Sequence, residues 1–194
     1  MGTPPRLNIV GKHVALGPVE RELVPLIARW INDFGTQRTL GADPLPRTIE
    51  AVVAHADHLS ALDDGLQFTI HLRGEGDDWQ PIGIVELQAI DRRSGTADFA
   101  IFIGEAALRG RGYGSEATRL LLGFAFDAVG IRSVALLVYE YNLAGICAYE
   151  RVGFRAIGRR RACHWMGGRF WDAILMECLA SDFATACVSG QGGE

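Results

Sequence analysis

Apolar residues recur along this chain first with a helical period and later with a period of two. After a stretch holding Pro4, Pro5 and Gly11, residues 13–16 read as a short strand that Gly17-Pro18 ends. Leu23, Leu26, Ile27, Trp30 and Ile31 then fall on one helical face, so residues 19–34 read as a helix, with a break or kink near Pro25. Residues 35–47, with Gly41, Pro44 and Pro46, read as a long connection, either a functional loop over a site or a surface excursion. Thr48 is placed to cap a second helix that runs to about residue 62, with Glu50 in its first turn. The period then changes. Residues 66–72, 81–90 and 96–103 alternate as strands, joined by turns at 73–80 and 91–95, which predicts an antiparallel meander. In the middle strand Ile82, Ile84 and Glu86 share one face, and Val85 and Leu87 the other. A long helix follows over residues 114–130. Leu120, Leu121, Phe124 and Ala128 give it an apolar stripe and Gly130 stops it. Then come a strand at 133–139, a helix capped by Asn142 and ended by Gly153, and strands at 154–165 and 170–179. Residues 181–194 lack periodicity and read as a disordered tail. The organisation expected is a loose lead-in over 1–12, one domain over 13–180, and a flexible tail over 181–194.

Composition adds limits. At 194 residues, 48% hydrophobic and 22% charged, the chain is large enough for one ordinary globular core. A formal net charge of -4 argues against nucleic acid as the main partner, which calls for a basic face. No apolar run approaches the ~20 residues that span a bilayer, and residues 1–10 lack a signal-peptide layout; a cytoplasmic protein without a membrane partner is expected. Cys147, Cys163, Cys178 and Cys187 form no C-x-x-C pair and read as packing or tail residues. His55 and His58 lack a third ligand, so no metal is expected.

The stretch that organises the chain is Leu108-Arg109-Gly110-Arg111-Gly112-Tyr113-Gly114-Ser115-Glu116, between a strand and a helix. A glycine-rich turn there offers backbone N–H groups and a helix N-terminus to an anion, and Arg109 and Arg111 add positive charge. It reads as a pyrophosphate seat or as a surface turn with a glycine cap. It is not a Walker loop, because no Lys follows, and the spacing of Gly110, Gly112 and Gly114 breaks G-x-G-x-x-G. Arg109 to Gly114 does resemble the [RQ]-x-x-G-x-[GA] acyl-coenzyme A loop of the GNAT acetyltransferase superfamily. A second motif agrees with it. Asn142, Tyr149, Glu150, Arg151, Gly153 and Phe154 match N-x-x-[AS]-x-x-x-Y-[EQ]-[KR]-x-G-F, with Gly145 in place of Ala or Ser. The segments 83–87, 97–100 and 168–176, together with Trp30-Ile31-Asn32-Asp33, look like the branch that holds ribosomal-protein N-terminal and spermidine acetyltransferases.

The resemblance implies an α/β fold: a mixed, mostly antiparallel sheet of about seven strands, flanked by about four helices and splayed to bind coenzyme A. It implies transfer of an acetyl group from acetyl-CoA, a cosubstrate, to a primary amine of a small molecule or a protein N-terminus by direct attack. The loop residues Arg109, Gly110, Arg111, Gly112, Tyr113, Gly114 and Ser115 would hold the pyrophosphate. Backbone amides at Phe102 and Ile103 would face the acyl oxygen, and Asn142 would cap its helix and touch the pantetheine arm. Tyr149 would be the acid that meets the leaving thiolate. It could equally be a core tyrosine. Asp98 and Glu86 are candidates for a base acting through water, or solvated strand residues. Asp33 and Asp43 could neutralise a cationic substrate. A closed, acidic pocket under residues 35–47 would favour a polyamine, and an open cleft a peptide. A catalytically silent acyl-CoA-binding regulatory module is the rival from a different class, and a homodimer is expected from the branch.

Overall fold

The period-two stretches pair into one open sheet. In the computed structural model, residues 5–41, 45–61, 64–76 and 78–183 are described. The strands are β1 (Ile9–Val10), β2 (Val14–Pro18), β3 (Leu66–Arg73), β4 (Trp79–Asp91), β5 (Thr96–Ile103), β6 (Ser133–Tyr139), β7 (Arg155–Met166) and β8 (Arg169–Leu179). They lie in the order β1-β2-β3-β4-β5-β6-β8-β7. Every neighbouring pair is antiparallel except β5–β6. That pair is parallel because a helical crossover, not a hairpin, joins its two strands. The helices are α1 (Val24–Ile31), α2 (Phe34–Leu40), α3 (Ile49–Ala61), α4 (Tyr113–Phe124) and α5 (Leu143–Val152).

The structure revises several expectations. Eight strands form where about seven are expected, because Ile9 and Val10 of the expected lead-in pair with Leu16 and Ala15. Five α-helices form among the described residues where about four are expected. The extra one is α2, inside the expected long connection; Asp33 caps it by accepting from Thr36 N–H at 2.8 Å, and Gly41 ends it at φ 65°. The break expected near Pro25 is the junction between a 3₁₀ turn at Arg21–Leu23 and α1, and Pro25 sits in the first turn of that helix and not in its interior. The helix expected over 114–130 is α4 followed by a wider π turn at Ala125–Val129. β4 begins before Pro81, and the β3–β4 register shifts between Ile70 and His71 opposite that residue, which has no N–H to give the ladder. Of the expected tail, residues 181–183 are helical, and Phe183 packs on Phe126 with ring centroids 5.4 Å apart. Residues 184–194, with Cys187, and Asp43 lie outside the described residues.

The sheet is buried on both faces at its centre. On one face α4 lays Ala117, Leu121 and Leu122 against Val85, Leu87, Phe99 and Val134. On the other, α1 and α3 lay Val24, Ile27, Trp30 and Val52 against Ile84, with Phe102 packed alongside. Over its buried middle, residues 82–87, β4 is therefore apolar on both sides except at Glu86, which is the position to explain. Among the described residues no helix is long and apolar enough to cross a membrane.

Candidate active site

β5 and β6 are neighbours for only a short distance. They pair at Thr96–Ser133, Ala97–Val134 and Asp98–Ala135, and no further. Beyond Asp98 the two strands part, while β5 stays paired with β4 as far as Ile103. Gly104 N–H donates to Ile82 O at 2.8 Å. Antiparallel alternation then turns the polar backbone groups of Phe102, Ala100 and Asp98 toward β4, and those of Ile101 and Ile103 toward the gap. Ser133 N–H donates to Gly95 O at 3.0 Å, which places the odd-numbered residues of β5 on the β6 side by the same count. Of the two amides expected at the acyl oxygen, Ile103 faces the gap and Phe102 faces Ile84. Ile101 joins Ile103 there.

A second set of amides lies at the start of α4. Gly112 is the N-cap at φ 87°, Gly110 stands at φ 73°, and no side chain caps the first turn. The first intrahelical bond recorded for this turn is Glu116 N–H to Gly112 O. The N–H groups of Tyr113, Gly114 and Ser115 are thus offered outward. Nothing lies within 4 Å of a Cβ placed on Gly110 or Gly112, so the approach to these amides is open. Glu116 does not compete for an anion. Its carboxylate turns back and accepts from His13 N–H at 2.7 Å, the His13 ring at 3.0 Å and Val14 N–H at 3.2 Å. Burial would raise its pKa, but those hydrogen bonds outweigh burial and hold it below the ordinary carboxylate value.

The two arginines of the loop have different fates. Arg111 is exposed, with no hydrogen bond or ion pair among the described residues. Arg109 turns inward. Its Nε donates to Ile103 O at 2.8 Å, and its Nη2 donates to Thr36 Oγ1 at 2.8 Å and to Gly104 O at 3.3 Å, with Asp33 at 3.8 Å. Arg109 therefore ties the end of β5 to the start of α2. The far end of α2 is tied to the other wall of the gap. Tyr141 Oη donates to Arg38 O at 3.0 Å, Asn142 Nδ2 donates to Thr39 O at 3.4 Å, and a Cβ on Gly41 would fall 1.9 Å from the Tyr139 ring. The helix missed at the level of sequence spans the mouth of the gap. Its signals were Asp33 as a cap and Gly41 as a stop.

Tyr149 projects from α5 onto the α4 face of the core, beside the point where β5 leaves β6. Its ring meets Phe99, the first β5 residue beyond the paired segment, at 6.1 Å, and Phe154 at 5.8 Å, both edge-on. Burial pushes its pKa up to about 12, and its hydroxyl makes no hydrogen bond among the described residues. Asn142 caps α5 by accepting from Gly145 N–H at 3.0 Å. A Cβ on Gly145 would lie 2.7 Å from Asn142 Nδ2, so the departure from the usual Ala or Ser makes room for this placement of the cap.

Glu86 and Asp98 point to the opposite face from Tyr149. Asp98 is exposed. Glu86 borders a cavity of about 210 Å³ between α1, α2, α3 and the sheet, which also reaches Ala100, Ile101 and Phe102. Its Oε2 accepts from Gln67 Nε2 at 2.7 Å and its Oε1 from Gln88 Nε2. The structure brings Glu86 to the splayed strand and leaves Asp98 away from the cavity. Asp33 serves as the α2 cap, and the Thr36 N–H and hydroxyl hold its carboxyl below the ordinary value. No group of three metal-ligating side chains occurs among the described residues.

A profile of the acetyltransferase (GNAT) domain matches residues 13–155. The SPbeta prophage-derived uncharacterized N-acetyltransferase YokL of Bacillus subtilis (strain 168) is 28% identical over 102 residues, 53% of this chain and 57% of its own length. The match thus spans little more than half of that relative. An N-acetyltransferase 9-like protein of Caenorhabditis briggsae is 25% identical over 158 residues, 78% of this chain and 79% of its own. Among solved structures, the spermidine N-acetyltransferase of Vibrio cholerae in complex with CoA and spermine superposes with a TM-score of 0.81 at 20% identity, covering 89% of this chain and 98% of that one. Mycobacterium smegmatis RimJ in complex with CoA-disulfide superposes with a TM-score of 0.74 at 19% identity, covering 92% and 89%. At these identities the likeness shows the shared fold.

Proposed function

The chain belongs to the GNAT acetyltransferase family, and on that premise we propose that it moves an acetyl group from acetyl-CoA to a primary amine, of a small molecule or a protein N-terminus, by direct attack. Acetyl-CoA supplies an activated thioester: the C–N bond forms, the C–S bond breaks, the amine gives up one proton and the thiolate gains one. The residues present fit such a group. The open amides of Tyr113, Gly114 and Ser115 suit a pyrophosphate at a helix N-terminus, with Arg111 free to add its charge. Ile101 and Ile103 aim N–H donors into the gap, where an oxyanion gains most from fixed donors.

Tyr149 keeps its proton at neutral pH and donates a hydrogen bond to the developing thiolate. A full transfer from a hydroxyl at about 12 to a thiol near ~8.5 runs uphill. The proton therefore crosses only as the amine adduct loses its own. Glu86 serves the amine, because it borders the cavity that reaches β5; Asp98 does not. A silent CoA-binding module would have no use for a proton-holding hydroxyl in the gap or for a carboxylate on the far side of it.

The observation that carries this reading is the parting of β5 from β6 after Asp98, with unshared β5 amides on one wall and Tyr149 against Phe99 where the strands part. Calorimetric titration with CoA tests it. Binding should be saturable and weakened at least tenfold in Gly112→Ala, whose φ of 87° a side chain resists. No binding to the wild-type chain would overturn it.

A further inference from the structure

The cavity beside Glu86 has a chemistry of its own. Its walls are Val24, Ile27 and Ile31 of α1, Val52 of α3, and Ile84 and Phe102 of the sheet. Among the described residues one carboxylate, Glu86, borders it, held by two neutral amides and by no cation. Among the described residues, the other ionisable side chains on its border are His55 of α3 and Arg47, which is exposed. The roof above is tied down. Arg47 N–H donates to Asn32 Oδ1 at 2.8 Å, Asn32 Nδ2 donates to Arg47 O at 2.9 Å, and Gln37 Nε2 donates to Leu45 O at 3.1 Å. Gln37 is 3% exposed and lines the cavity, yet its Oε1 accepts nothing from the described residues. Buried acceptors are rarely left so. One left over in a cavity wall is a place for a ligand's donor.

A polyamine carries several ammonium groups. The first would find Glu86. The next would meet largely apolar walls, the His55 imidazole and the Arg47 guanidinium, with no second carboxylate on the cavity border among the described residues. Unpaired charge against apolar wall is strongly unfavourable. A single ammonium on an apolar body meets no such conflict. The volume agrees, since a dry cavity of ~150 Å³ accepts a benzene ring and this one is about 210 Å³.

We propose that this cavity takes the apolar body of a small primary monoamine, one ring or a short alkyl chain in size, with Glu86 holding its ammonium, Gln37 Oε1 accepting a ligand hydrogen bond, and polyamines disfavoured. This rests on the acetyltransferase reading above and names its substrate class. The test measures acetyl-CoA turnover and, separately, direct binding to the CoA-loaded protein, for 2-phenylethylamine, hexylamine, spermidine and a peptide with an apolar first residue. The two monoamines should exceed spermidine and the peptide at least tenfold in both measurements, and Glu86→Gln should weaken monoamine binding at least tenfold while its CoA affinity stays at the wild-type value. Monoamine binding without turnover of any amine would uphold the cavity assignment while overturning the acetyltransferase reading. Preference for spermidine or for the peptide, or no monoamine binding, would overturn the assignment.

Discussion

The guanidinium of Arg109 donates to the hydroxyl of Thr36 at 2.8 Å, across 73 residues of sequence. Through it the glycine loop holds one end of α2, while Tyr141 and Asn142 hold the other. The helix that spans the mouth of the gap is therefore anchored to both strands that part beneath it. An arginine of the glycine-rich loop is used here as a strut.

That assignment separates the two loop arginines. Arg109→Ala leaves Ile103 O, Gly104 O and Thr36 Oγ1 without their charged donor and should lower stability by about 2–3 kcal/mol, which is roughly 5–10 °C in Tm for a chain of this size. Arg111→Ala should leave Tm within about 1–2 °C and weaken CoA binding roughly tenfold, about 1.4 kcal/mol for one charge-assisted contact. Paired melting curves and titrations check both. Equal effects of the two substitutions on Tm would contradict the strut.

Gly41 meets Tyr139 without room for a methyl group. Gly41→Ala imposes a Cβ at φ 65°, a cost of about 1–2 kcal/mol, and drives that carbon to 1.9 Å from the Tyr139 ring. A total of at least about 2 kcal/mol is expected, read as a fall in Tm of about 4 °C or more. Because α2 roofs the cavity, KM for the amine should rise with little change in CoA affinity.

Tyr149→Phe keeps the ring contacts with Phe99 and Phe154 and removes only the hydroxyl. The expectation is a fall in kcat of about 10²–10⁴ at nearly constant CoA affinity. Because the folded-state pKa is raised to about 12, Tyr149 stays protonated at neutral pH and should add no basic limb to the rate profile below about pH 11. The same shift acts on stability. The contribution is fully present below the unfolded value near ~10 and is lost as pH rises from there toward 12. Alkaline unfolding should therefore be steeper in the wild type than in the variant.

Glu116 works in the opposite direction. Its folded-state pKa is lowered, so its stabilising effect is present above the ordinary carboxylate value and is lost as pH falls through the lowered one. Glu116→Gln should lower Tm at pH 7, where the carboxylate of the wild type joins α4 to His13 and Val14. Melting curves at descending pH should show the gap between variant and wild type begin to narrow below about pH 4. A gap that does not narrow as the pH falls further would show that shape, not charge, holds this join.

Much of this was legible in the sequence. The meander, both motif-bearing helices and the glycine loop follow from hydrophobic period and capping residues, because those segments carry their own local signals. α2 was not. Gly35, Thr36 and Thr39 are poor helix formers, and the helix is held by partners far away in sequence. The inward turn of Arg109 was also hidden, since no spacing rule says which arginine of a loop finds carbonyls behind it. Asp98 and Glu86 look equivalent on their strands. Only the placement of the cavity and of α1 to α3 distinguishes them.

The most direct test of the account is product analysis after incubation of the chain with acetyl-CoA and a primary monoamine. The account predicts N-acetylated amine in amounts equal to the free CoA thiol released, both strongly reduced in Tyr149→Phe. Saturable CoA binding with no acetylated amine from any amine offered would contradict it.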